Sequence, residues 1–526
     1  MESNFGSKRF LFSIVASAVL IVLTVSTPLR AQSVTLRSSD GSVTISGPLI
    51  RFDGTVYIIR RGANGELNLP ASEFSCISGS CPDPRAFGIH GSNTIGAELM
   101  PRLIEAYAES LGAGVRIANG AVPDVAEIKV FRGDGNNLAT VDLQAHGSGT
   151  ATSGLTSRKA LIGMAPRALN AGELEQLAQQ GFGDMRSAEH EHVVGLDGIV
   201  VIVSPRNPAT KLSLLQLQGI FSGAISDWSQ VGGAAGKINV YARDSKSGTF
   251  DTFKTLVLDS GNQKLTESAR RLESSNELSD LVANDPSGIG FIGFAYVRSA
   301  KAVSLVNECG MSFVANTFGV KTEEYPLSRR LFLYSGMLPA GSFAAGFLDF
   351  AMSRYAQDIV KDSGFIDQAL EAQRDKQSDR MAGLPSARTL KGDIREPSIQ
   401  LVRDTQEIIR LSATMRFRFN SIQLDNKALN DVDILAQFLR FLVETKSTKK
   451  LVLVGFTDSV GALDKNIAIS LERANAVRQA LLGKLRDPQY AKLLDVRGYG
   501  PALPVACNES EFGRDKNRRV EVWLRQ

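Results

Sequence analysis

The segment YARDSKSGTFDTFK, residues 241–254, is the part of the chain around which the rest is arranged. Arg243 ends an apolar, strand-like run that contains Ile238 and Val240, and residues 247–249 (Ser-Gly-Thr) then have the composition of a helix start. The first turn of a helix carries free N–H groups and the positive end of the helix dipole, and the planar guanidinium group of Arg243 matches a tetrahedral oxyanion. The segment therefore predicts a strand–turn–helix unit that cradles an oxyanion, although an ordinary capped helix beside a surface arginine has the same pattern.

Two further turns rich in glycine and hydroxyl residues occur earlier in the chain. GSNT, residues 91–94, follows the strand-like residues 87–90, and HGSGT, residues 146–150, precedes a second apolar run at 161–164. A continuous apolar run at 198–203 has the composition of a buried strand. Repeated strand–turn–helix units predict an α/β domain, and helix N-termini that converge at the carboxyl ends of the strands can surround one anion. The three turns together strengthen the oxyanion interpretation.

Length and composition restrict the function classes. At 526 residues the chain is too long for one domain, so we expect three or four folded units. The net charge of +4 is small for this length, and basic residues are not clustered with aromatic ones, so nucleic acid is not an expected partner. His190 and His192 form an H-x-H pattern in a polar segment, where solvated side chains are more common than metal ligands. We therefore expect no cofactor and no metal.

The first 31 residues have the layout of a secretory signal peptide. Lys8 and Arg9 precede an apolar run over residues 10–25, and cleavage is expected after Ala31. An uncleaved membrane anchor is the alternative, but the apolar run is short for a bilayer span of about 20 residues. We therefore expect export, which permits disulfides.

The chain has four cysteines. Cys76 and Cys81 flank the small turn ISGS, so a local disulfide between them is predicted. No second cysteine pair lies near them in the sequence, which argues against a zinc site. Cys309 and Cys507 lie in different predicted domains, and the sequence alone does not pair them.

Changes in pattern along the chain predict the domain boundaries. Residues 32–84 alternate polar and apolar side chains between Asp-Gly and Asn-Gly turns, which is typical of a small β module. The α/β pattern covers residues 85–367. Residues 368–410 are highly charged and are interrupted by glycine and proline, so we expect a charged linker there, either helical or flexible. Residues 411–526 alternate strands with amphipathic helices and predict another compact unit.

Two long motifs in the α/β domain carry a family resemblance. They are VIVSPRNPATKLSLLQLQGIFSGAISDWSQVGG, residues 201–233, and DPSGIGFIGFAYV, residues 285–297. Residues 87–365 resemble the phosphate-binding, periplasmic substrate-binding proteins of ABC transporters. The resemblance implies the type II periplasmic-binding-protein fold, in which two lobes close on a ligand about a hinge. It also implies a non-catalytic function, with inorganic phosphate or a similar oxyanion as ligand and an ABC permease as a partner.

The same resemblance implies which residues bind phosphate. The first glycine- and hydroxyl-rich turn supplies two residues, the second supplies three, and the third supplies an arginine and its helix start. The expected set is Thr94, Ile95, Ser148, Gly149, Thr150, Arg243, Ser247, Gly248 and Thr249. A phosphatase with Ser148 or Ser247 as nucleophile is the enzymatic alternative, but the sequence has neither an evident metal cluster nor a Ser–His–carboxylate spacing.

One position departs from the family pattern. After the second strand, the best-studied members carry an aspartate that accepts the proton of protonated phosphate, and Pro166 stands there in this sequence, followed by Arg167. An acceptor-only carboxylate rejects fully ionised oxyanions such as sulfate. Its absence leaves the ligand and the selectivity of the site open.

The C-terminal unit resembles OmpA-like peptidoglycan-binding domains over essentially its whole length. The motifs that carry the resemblance are GFTDSVG (455–461), NIAISLERANAV (466–477), RGYG (497–500) and GRDKNRRVEV (513–522). The resemblance implies an α/β sandwich that fastens the protein to the cell wall.

Asp458 and Arg473 are the implied centre of the wall-binding site. They have the fifteen-residue spacing of the family's aspartate and arginine, which hold the diaminopimelate end of the peptide stem. Asp458 can pair with the ammonium group of that residue, and Arg473 can clamp its carboxylate with two hydrogen bonds. Thr457, Asn466 and Arg519 are implied to shape the site, although for Arg518 and Arg519 a structural pairing is as much expected as a ligand contact. A purely structural ion pair between Asp458 and Arg473 is the alternative.

These observations predict a multidomain α/β and α+β protein: a small N-terminal β module, a two-lobed α/β clamp and a C-terminal OmpA-like α/β sandwich. We expect an exported, non-catalytic binding protein in the periplasm, associated with the cell wall and outer membrane of a Gram-negative envelope. A wall-anchored scaffold or sensor whose clamp has lost or altered its ligand binding is the alternative.

Overall fold

The computed structural model describes residues 33–52, 56–62, 65–79, 81, 85–120, 124–147, 149–245, 247–376, 380, 392–405 and 407–525. The expected signal peptide over residues 1–31 and Ser148 of the expected phosphate site lie outside the described residues. Within the described ranges, each helix is too short or too polar to traverse a lipid bilayer. The chain divides into two compact units, the first within residues 33–82 and the second from residue 85 onward.

The first unit is an antiparallel sheet with the strand order β4-β3-β2-β1-β5. Alternate residues of its strands, such as Val34 and Leu36, are buried because successive side chains of a strand point to opposite faces. Cys76 forms a disulfide with Cys81, with a sulfur–sulfur distance of 2.04 Å. The strands are β1 (Ser33–Ser38), β2 (Thr44–Phe52), β3 (Val56–Arg61), β4 (Gly65–Pro70) and β5 (Phe74–Gly79).

The α/β domain alternates strands and helices from residue 86 to residue 362. Its elements are β6 (Ala86–Gly91), α1 (Asn93–Gly96), α2 (Leu99–Ser110), β7 (Ala113–Asn119), β8 (Val125–Arg132), β9 (Asn137–Gln144), α3 (Gly149–Thr156), β10 (Ile162–Ala165), α4 (Ala171–Gln179), β11 (Glu191–Val203), β12 (Lys211–Ser213), α5 (Leu214–Ser222), β13 (Asn239–Arg243), α6 (Gly248–Phe253), β14 (Arg270–Leu272), α7 (Ser275–Asn284), β15 (Gly288–Gly293), β16 (Lys301–Ala302), β17 (Ser304–Val306), β18 (Ser312–Phe313), α8 (Thr317–Lys321), β19 (Ser328–Ser335), α9 (Phe343–Ala351) and α10 (Arg354–Asp362). A π-helical turn, Lys254–Leu258, continues α6.

One sheet crosses this domain with the strand order β14-β13-β15-β11-β19-β10-β6-β9-β8-β7. Its two central strands, β11 and β19, pair in antiparallel register. Val194 and Leu331 belong to one apolar core, whereas Leu196 and Leu327 belong to another. The paired strands therefore cross between two lobes, which we define as lobe 1 (residues 85–194 and 331–365) and lobe 2 (residues 196–327). The structure thus has the two-lobed architecture that the sequence predicts.

Polar side chains set the starts of several helices. Asn170 and Ser213 each accept a hydrogen bond from a backbone N–H of the first turn, and the side chains of Glu173 and Gln216 accept hydrogen bonds from the backbone N–H groups of these capping residues. Such reciprocal capping satisfies N–H groups that have no partner inside the helix. Because the capping partners lie three residues apart in the sequence, helix starts of this kind can be predicted from a short segment.

His190 and His192 do not form the solvated pair that the sequence indicated. His190 is 8% exposed, and its Nδ1 lies 2.9 Å from the carbonyl oxygen of Ser335. His192 lies in β11 opposite Leu333 of β19, where burial lowers the pKa of its imidazole. The polar residues around them indicated exposure, but pairing of this segment with the distant strand β19 buries His190 and partly buries His192.

We expect the substitution His192→Gln to flatten the pH dependence of stability on the acid side of neutrality. A histidine whose pKa is lower in the folded state binds fewer protons folded than unfolded, so stability falls as pH drops below the unfolded pKa of 6.5. Glutamine cannot take up that proton. Thermal unfolding at a series of pH values between about 7.5 and 5.5 checks this. Parallel curves for the wild type and the variant would contradict it.

The C-terminal domain is an α/β sandwich. Its sheet has the strand order β20-β21-β24-β22-β23, in which the pair β22–β23 is parallel and the other pairs are antiparallel. The apolar faces of α12 and α13 pack on one side of this sheet. The elements are β20 (Ala372–Lys376), α11 (Gly392–Asp404), β21 (Glu407–Arg416), α12 (Asn426–Glu444), β22 (Lys450–Gly455), α13 (Leu463–Leu485), β23 (Leu494–Gly498), α14 (Glu511–Asn517) and β24 (Arg519–Arg525).

The described part of the expected linker, residues 368–410, contains a helix and a strand that belong to the C-terminal domain and do not merely connect domains. Strand β20 pairs with β21, and Leu401 of α11 packs with Phe456 and Trp523 on the second face of the C-terminal sheet. Some of the charged side chains of this segment have partners in the fold. Both terminal nitrogens of Arg380, for example, donate to the carboxylate of Glu521, at 2.7 and 3.1 Å.

The C-terminal domain is joined to lobe 2 by a covalent bond and by ion pairs. Cys309 of lobe 2 forms a disulfide with Cys507 of the C-terminal domain, a pairing that the sequence left open. Arg410 donates to Glu324 at 2.5 Å, and both residues are largely buried. Because buried charges need such partners, the interface has a defined geometry.

Removing the interdomain disulfide by the double substitution Cys309→Ser and Cys507→Ser is expected to lower the melting temperature by about 5 °C. The bond closes a loop of nearly 200 residues. Without it the unfolded chain gains conformational entropy, which lowers the free energy of unfolding by about 2 kcal/mol or more. Differential scanning calorimetry measures the effect. The matched control is the pair Cys76→Ser and Cys81→Ser, which opens a loop with a sequence separation of 5. An unchanged melting temperature in the first variant would contradict the prediction.

Candidate functional site

A cleft of about 570 Å³ lies between the lobes and is lined by residues of both. Thr94 comes from α1 in lobe 1, Arg243 from the end of β13 in lobe 2, and residues 247–249 from the start of α6. These residues are far apart in sequence and meet because their strands belong to one sheet. Five of the nine expected phosphate-binding residues therefore line a single cleft.

Arg243 presents its guanidinium group in the wall of this cleft. Its Nε donates to the carbonyl oxygen of Leu272 at 3.3 Å, and its Nη1 donates to Ser275 Oγ. Its Nη2 lies 3.8 Å from the carboxylate of Asp244. Burial lowers the pKa of the Arg243 guanidinium, while Asp244 opposes that shift. A guanidinium held in this way is fixed in position and carries its charge at neutral pH.

Gly248 allows the two ligand loops to touch. A Cβ atom at this position would lie 2.5 Å from the Cα of Thr94, closer than side chains tolerate. Ser247 caps α6, with its Oγ accepting from the N–H of Phe250 at 3.4 Å. The Ser-Gly-Thr motif therefore needs glycine at position 248 because the opposite lobe approaches closely, and not because the backbone has a positive φ there.

The remaining expected phosphate-binding residues are placed differently. Ile95 is fully buried in the core of lobe 1. Gly149 and Thr150 begin α3, where Thr150 Oγ1 donates to the carbonyl oxygen of Gly147 at 2.7 Å. Neither residue of the second turn is among the described residues that line the cleft. A ligand contact from Ile95 would have to come from its backbone, because its side chain is occupied in the core.

Sequence reasoning missed Arg329 and Asp197, which form a pair at the hinge. They lie opposite each other in β19 and β11, and Arg329 Nε donates to Asp197 Oδ2 at 3.3 Å. Arg329 Nη2 also donates to Thr94 Oγ1 and to the carbonyl oxygen of Gly248. Burial lowers the pKa of the Arg329 guanidinium, and Asp197 opposes this shift. The adjacent arginines in YPLSRR, residues 325–330, at the start of a buried strand were the available signal.

Carboxylates also line the cleft, and they were not part of the expected site. Besides Asp197 they are Glu98, Asp124, Asp244 and Glu273. Carboxylates repel a fully ionised anion but accept hydrogen bonds from a protonated one. Arg167, which follows Pro166, pairs with Glu173 at 2.8 and 2.9 Å and is not among the residues that line the cleft. Pro166 has no side-chain acceptor, so a hydrogen-bond acceptor for a protonated ligand must be one of the carboxylates that line the cleft.

The expected wall-binding residues meet in one region of the C-terminal domain. Asp458 and Arg473 are both buried, and Asn466 donates to the carbonyl oxygen of Val460 at 3.1 Å. Arg473 donates through Nε to the carbonyl oxygen of Ser421 at 3.0 Å and through Nη2 to that of Arg418 at 3.2 Å. Burial lowers the pKa of Arg473 to about 10.

Arg518, and not Arg519, is the arginine that contacts Asp458. Arg518 Nη1 donates to Asp458 Oδ2 at 2.7 Å. Arg519 has no exposed surface, and its donors are taken by Glu521 at 2.7 and 2.9 Å and by the carbonyl oxygen of Leu503. Arg519 was expected to shape the wall-binding site, but its side chain belongs to the domain interior. Arg518 follows the last residue of α14 and Arg519 is the first residue of β24, so the change from helix to strand, which the sequence does not show, decides which arginine faces the site.

Thr457 is the remaining expected wall-binding residue. Its Oγ1 is buried beside Asp458 and has no hydrogen-bond partner among the described residues. A buried hydroxyl without a partner costs free energy, which a bound ligand or an ordered water can recover. Within the described residues, the group with metal-ligand spacing is Cys309, Cys507 and Glu509, whose two sulfurs are joined in the interdomain disulfide.

Comparison with known proteins gives matches to both domains. Residues 108–354 match the model of the PBP superfamily domain, and residues 416–518 match that of the OmpA family. The phosphate-binding protein PstS of Borreliella burgdorferi is 29% identical over 240 residues, which cover 44% of this chain and 81% of that protein. PstS of Bacillus subtilis is 30% identical over 234 residues, covering 44% and 72%. The probable lipoprotein YiaD of Escherichia coli is 29% identical over 161 residues, covering 31% and 65%.

These similarities agree with the two-lobed architecture. The match to the PBP superfamily covers most of both lobes, and the two PstS relatives are covered over most of their own lengths. The chain therefore belongs to the PstS family of the PBP superfamily and carries an OmpA-family domain toward its C-terminus.

Proposed function

We propose that this protein captures phosphate, or a similar oxyanion, in the cleft between its lobes and is held at the peptidoglycan layer by its C-terminal domain. Capture is non-catalytic, takes place in the periplasm and supplies an ABC-type uptake system. The observation that supports this most is that Thr94, the guanidinium of Arg243 and the capped start of α6 line one cleft.

The cleft has the chemistry of an oxyanion site. Arg243 supplies a fixed positive charge, and residues 247–249 supply hydroxyl groups and the backbone N–H groups of a helix start. The relatives of this chain include proteins named as phosphate-binding. The carboxylates of the cleft favour a protonated anion such as hydrogen phosphate over sulfate, because only the protonated anion can donate a hydrogen bond to them.

Isothermal titration calorimetry of the full mature chain tests this function. We expect one phosphate per chain with saturable heat, and much weaker binding of sulfate. Saturable sulfate binding of equal affinity would overturn the selectivity argument. An absence of heat with both anions would overturn the proposed function of the clamp.

A wall-anchored scaffold or sensor remains the second candidate for the clamp. It is favoured by Pro166 at the family's aspartate position and by the carboxylates around Arg243, which raise the cost of bringing an anion into the cleft. The two candidates differ in the titration described above, since a scaffold of this kind gives no phosphate heat. Hydrolysis of p-nitrophenyl phosphate separates both from a phosphatase.

The C-terminal site has the donors and acceptors that a diaminopimelate residue needs. Asp458 offers a carboxylate for an ammonium group, and Arg473 offers a guanidinium for a carboxylate. In the described structure Arg473 bonds to two backbone carbonyl oxygens, which a ligand carboxylate would replace. Thr457, with its unpartnered Oγ1, and Asn466 lie beside them.

A further inference from the structure

Arg329 connects the two loops that meet at the ligand cleft. Its Nη2 donates to Thr94 Oγ1 of lobe 1 at 2.9 Å and to the carbonyl oxygen of Gly248 of lobe 2 at 3.1 Å. Arg329 itself lies in the hinge, between the core residues Leu327 of lobe 2 and Leu331 of lobe 1. One side chain therefore bridges both lobes at the place where their loops touch.

The bridge is buried and is anchored on the opposite hinge strand. The side chain of Arg329 is 8% exposed, and its Nε donates to Asp197 Oδ2. Thr252 of α6 donates to the same carboxylate oxygen at 3.0 Å, and Asp251 lies 3.6 Å from Arg329 Nη1. Because Asp197 neutralises the buried charge, the remaining guanidinium nitrogen is free to serve the two loops.

Arg329 also fixes the role of the Thr94 hydroxyl. A hydroxyl group has one hydrogen to donate and two positions that accept. Arg329 occupies an accepting position of Thr94 Oγ1, which leaves the Thr94 O–H to donate to a group in the cleft. An oxyanion accepts such a hydrogen bond.

We propose that Arg329 is a positioning residue for oxyanion capture, which joins the two loops in the closed arrangement and orients the Thr94 O–H toward the ligand. This inference rests on the proposed function and adds a residue to it. Arg329 acts through Thr94 and Gly248, and contact with the ligand is left to the residues that line the cleft. Its contribution arises after the lobes close, so it slows ligand release more than it speeds ligand entry.

The test is Arg329→Met in the full mature chain, with inorganic phosphate as the probe. We expect the dissociation constant to rise about thirtyfold, the dissociation rate to carry most of that change, and the association rate to stay within about threefold of the wild type. Release of radiolabelled phosphate in a chase with unlabelled phosphate gives the dissociation rate. Arg270→Met, on the exposed β14, is the matched control and should bind as the wild type does.

A second variant keeps the test decisive if Arg329→Met does not fold. Arg329→Lys retains the charge beside Asp197, but one ammonium group cannot serve Asp197 and both loops, so we expect release to be about fivefold faster. Wild-type release rates in either folded variant would overturn the proposal, as would an equal loss in both rate constants. If the wild type itself does not bind phosphate, the proposed function fails, which is a different result.

The contacts of the C-terminal domain carry a second inference, because this domain is attached to both lobes. Its links to lobe 2 include the Cys309–Cys507 disulfide and the Arg410–Glu324 pair. On the other side, Asn426 at the start of α12 donates to the carbonyl oxygen of Arg186 at 3.0 Å and to Glu191 Oε1 at 2.9 Å, both in lobe 1. The domain therefore spans the hinge.

The lobe 1 contact lies close in sequence to the wall-binding site. Arg473 donates to the carbonyl oxygens of Arg418 and Ser421. A few residues later Asp425 pairs with Arg330 of β19 at 2.7 Å, and Asn426 reaches lobe 1. Arg330 follows Arg329 directly, so adjacent residues of one strand contact the C-terminal domain and the ligand loops.

We infer that the C-terminal domain is a brace across the hinge, and that wall binding and ligand retention are coupled through residues 418–426. The inference rests on the proposed functions of both sites. A stem peptide that takes the Arg473 guanidinium releases the carbonyl oxygens of this segment, loosens the Asn426 contact with lobe 1 and lowers phosphate affinity. By linkage, phosphate lowers the affinity for the peptide by the same factor.

Phosphate titrations with and without a saturating soluble diaminopimelate-containing stem peptide test the brace. We expect the peptide to raise the phosphate dissociation constant about threefold in the wild type. Asn426→Ala should raise it to a similar degree without peptide and should abolish the effect of the peptide. Gln437→Ala, on the exposed side of α12, is the control and should behave as the wild type does. Identical phosphate affinities with and without bound peptide in the wild type would overturn this inference and leave that on Arg329 intact.

Discussion

Replacing Arg243 with alanine is expected to weaken phosphate binding at least tenfold. The guanidinium is fixed by Leu272 and Ser275, and it lines the cleft together with the start of α6. Its removal leaves a desolvated anion without a charged partner, while the carboxylate of Asp244 stays beside the site. Truncating one partner of a buried charge pair costs about 2–5 kcal/mol, so a loss of more than tenfold is expected.

Calorimetric titration with phosphate measures this effect. Arg243→Lys keeps the positive charge but has no planar donor fork, so an intermediate loss is expected. Arg270→Ala, an exposed arginine on the neighbouring β14, is the matched control for removal of one positive charge. Unchanged heats and affinity in Arg243→Ala would show that the cleft does not bind phosphate through this residue, and the proposed site would have to be abandoned.

Replacing Asp458 with alanine is expected to abolish sedimentation of the protein with purified sacculi while leaving phosphate binding intact. The carboxylate of Asp458 is buried and pairs with Arg518. In the proposed function it also pairs with the ammonium group of the stem peptide. Without the Asp458 carboxylate, the positive charges of Arg518 and Arg473 are no longer balanced and repel the ammonium group of the ligand. Loss of the pairing partner and the remaining repulsion act in the same direction.

Two further variants separate a binding effect from a folding effect. Asp458→Asn keeps the shape and loses the charge, so it should also fail to sediment if charge pairing is the cause. Glu472→Ala, an exposed acidic residue next to Arg473 on α13, removes a negative charge near the site and should sediment normally. Wild-type sedimentation of a folded Asp458→Ala protein would contradict the assignment of the wall-binding site.

Local sequence patterns predicted much of the fold. The Ser-Gly-Thr motif at residues 247–249 indicated a helix start, and the structure has Ser247 as the cap of α6. A capping hydroxyl and the N–H groups it serves lie within a few residues, so the signal is present in a short stretch of sequence. The apolar run at residues 198–203 likewise indicated the buried part of β11.

Long-range pairing explains what the sequence left open. Segment 368–410 indicated a linker because it is highly charged and is interrupted by glycine and proline, but Asp375 meets Arg410 at 3.4 Å when β20 pairs with β21. The same reason applies to Cys309 and Cys507, whose pairing depends on how two domains pack. A partner that lies tens or hundreds of residues away leaves no local trace.

Patterns within short stretches of chain were enough to establish the order of the domains, the three hydroxyl-rich turns and the residue types available to bind an anion or a stem peptide. Which of those residues meet depends on the folded arrangement of the whole chain. It brought Thr94 and Gly248 into contact, placed Arg329 between them, and turned Arg518 rather than Arg519 toward Asp458. The partners of side chains across a hinge or a sheet are set by packing in three dimensions. Because successive side chains of a strand point to opposite faces, a shift of one residue in the register moves every side chain of the strand to the other face.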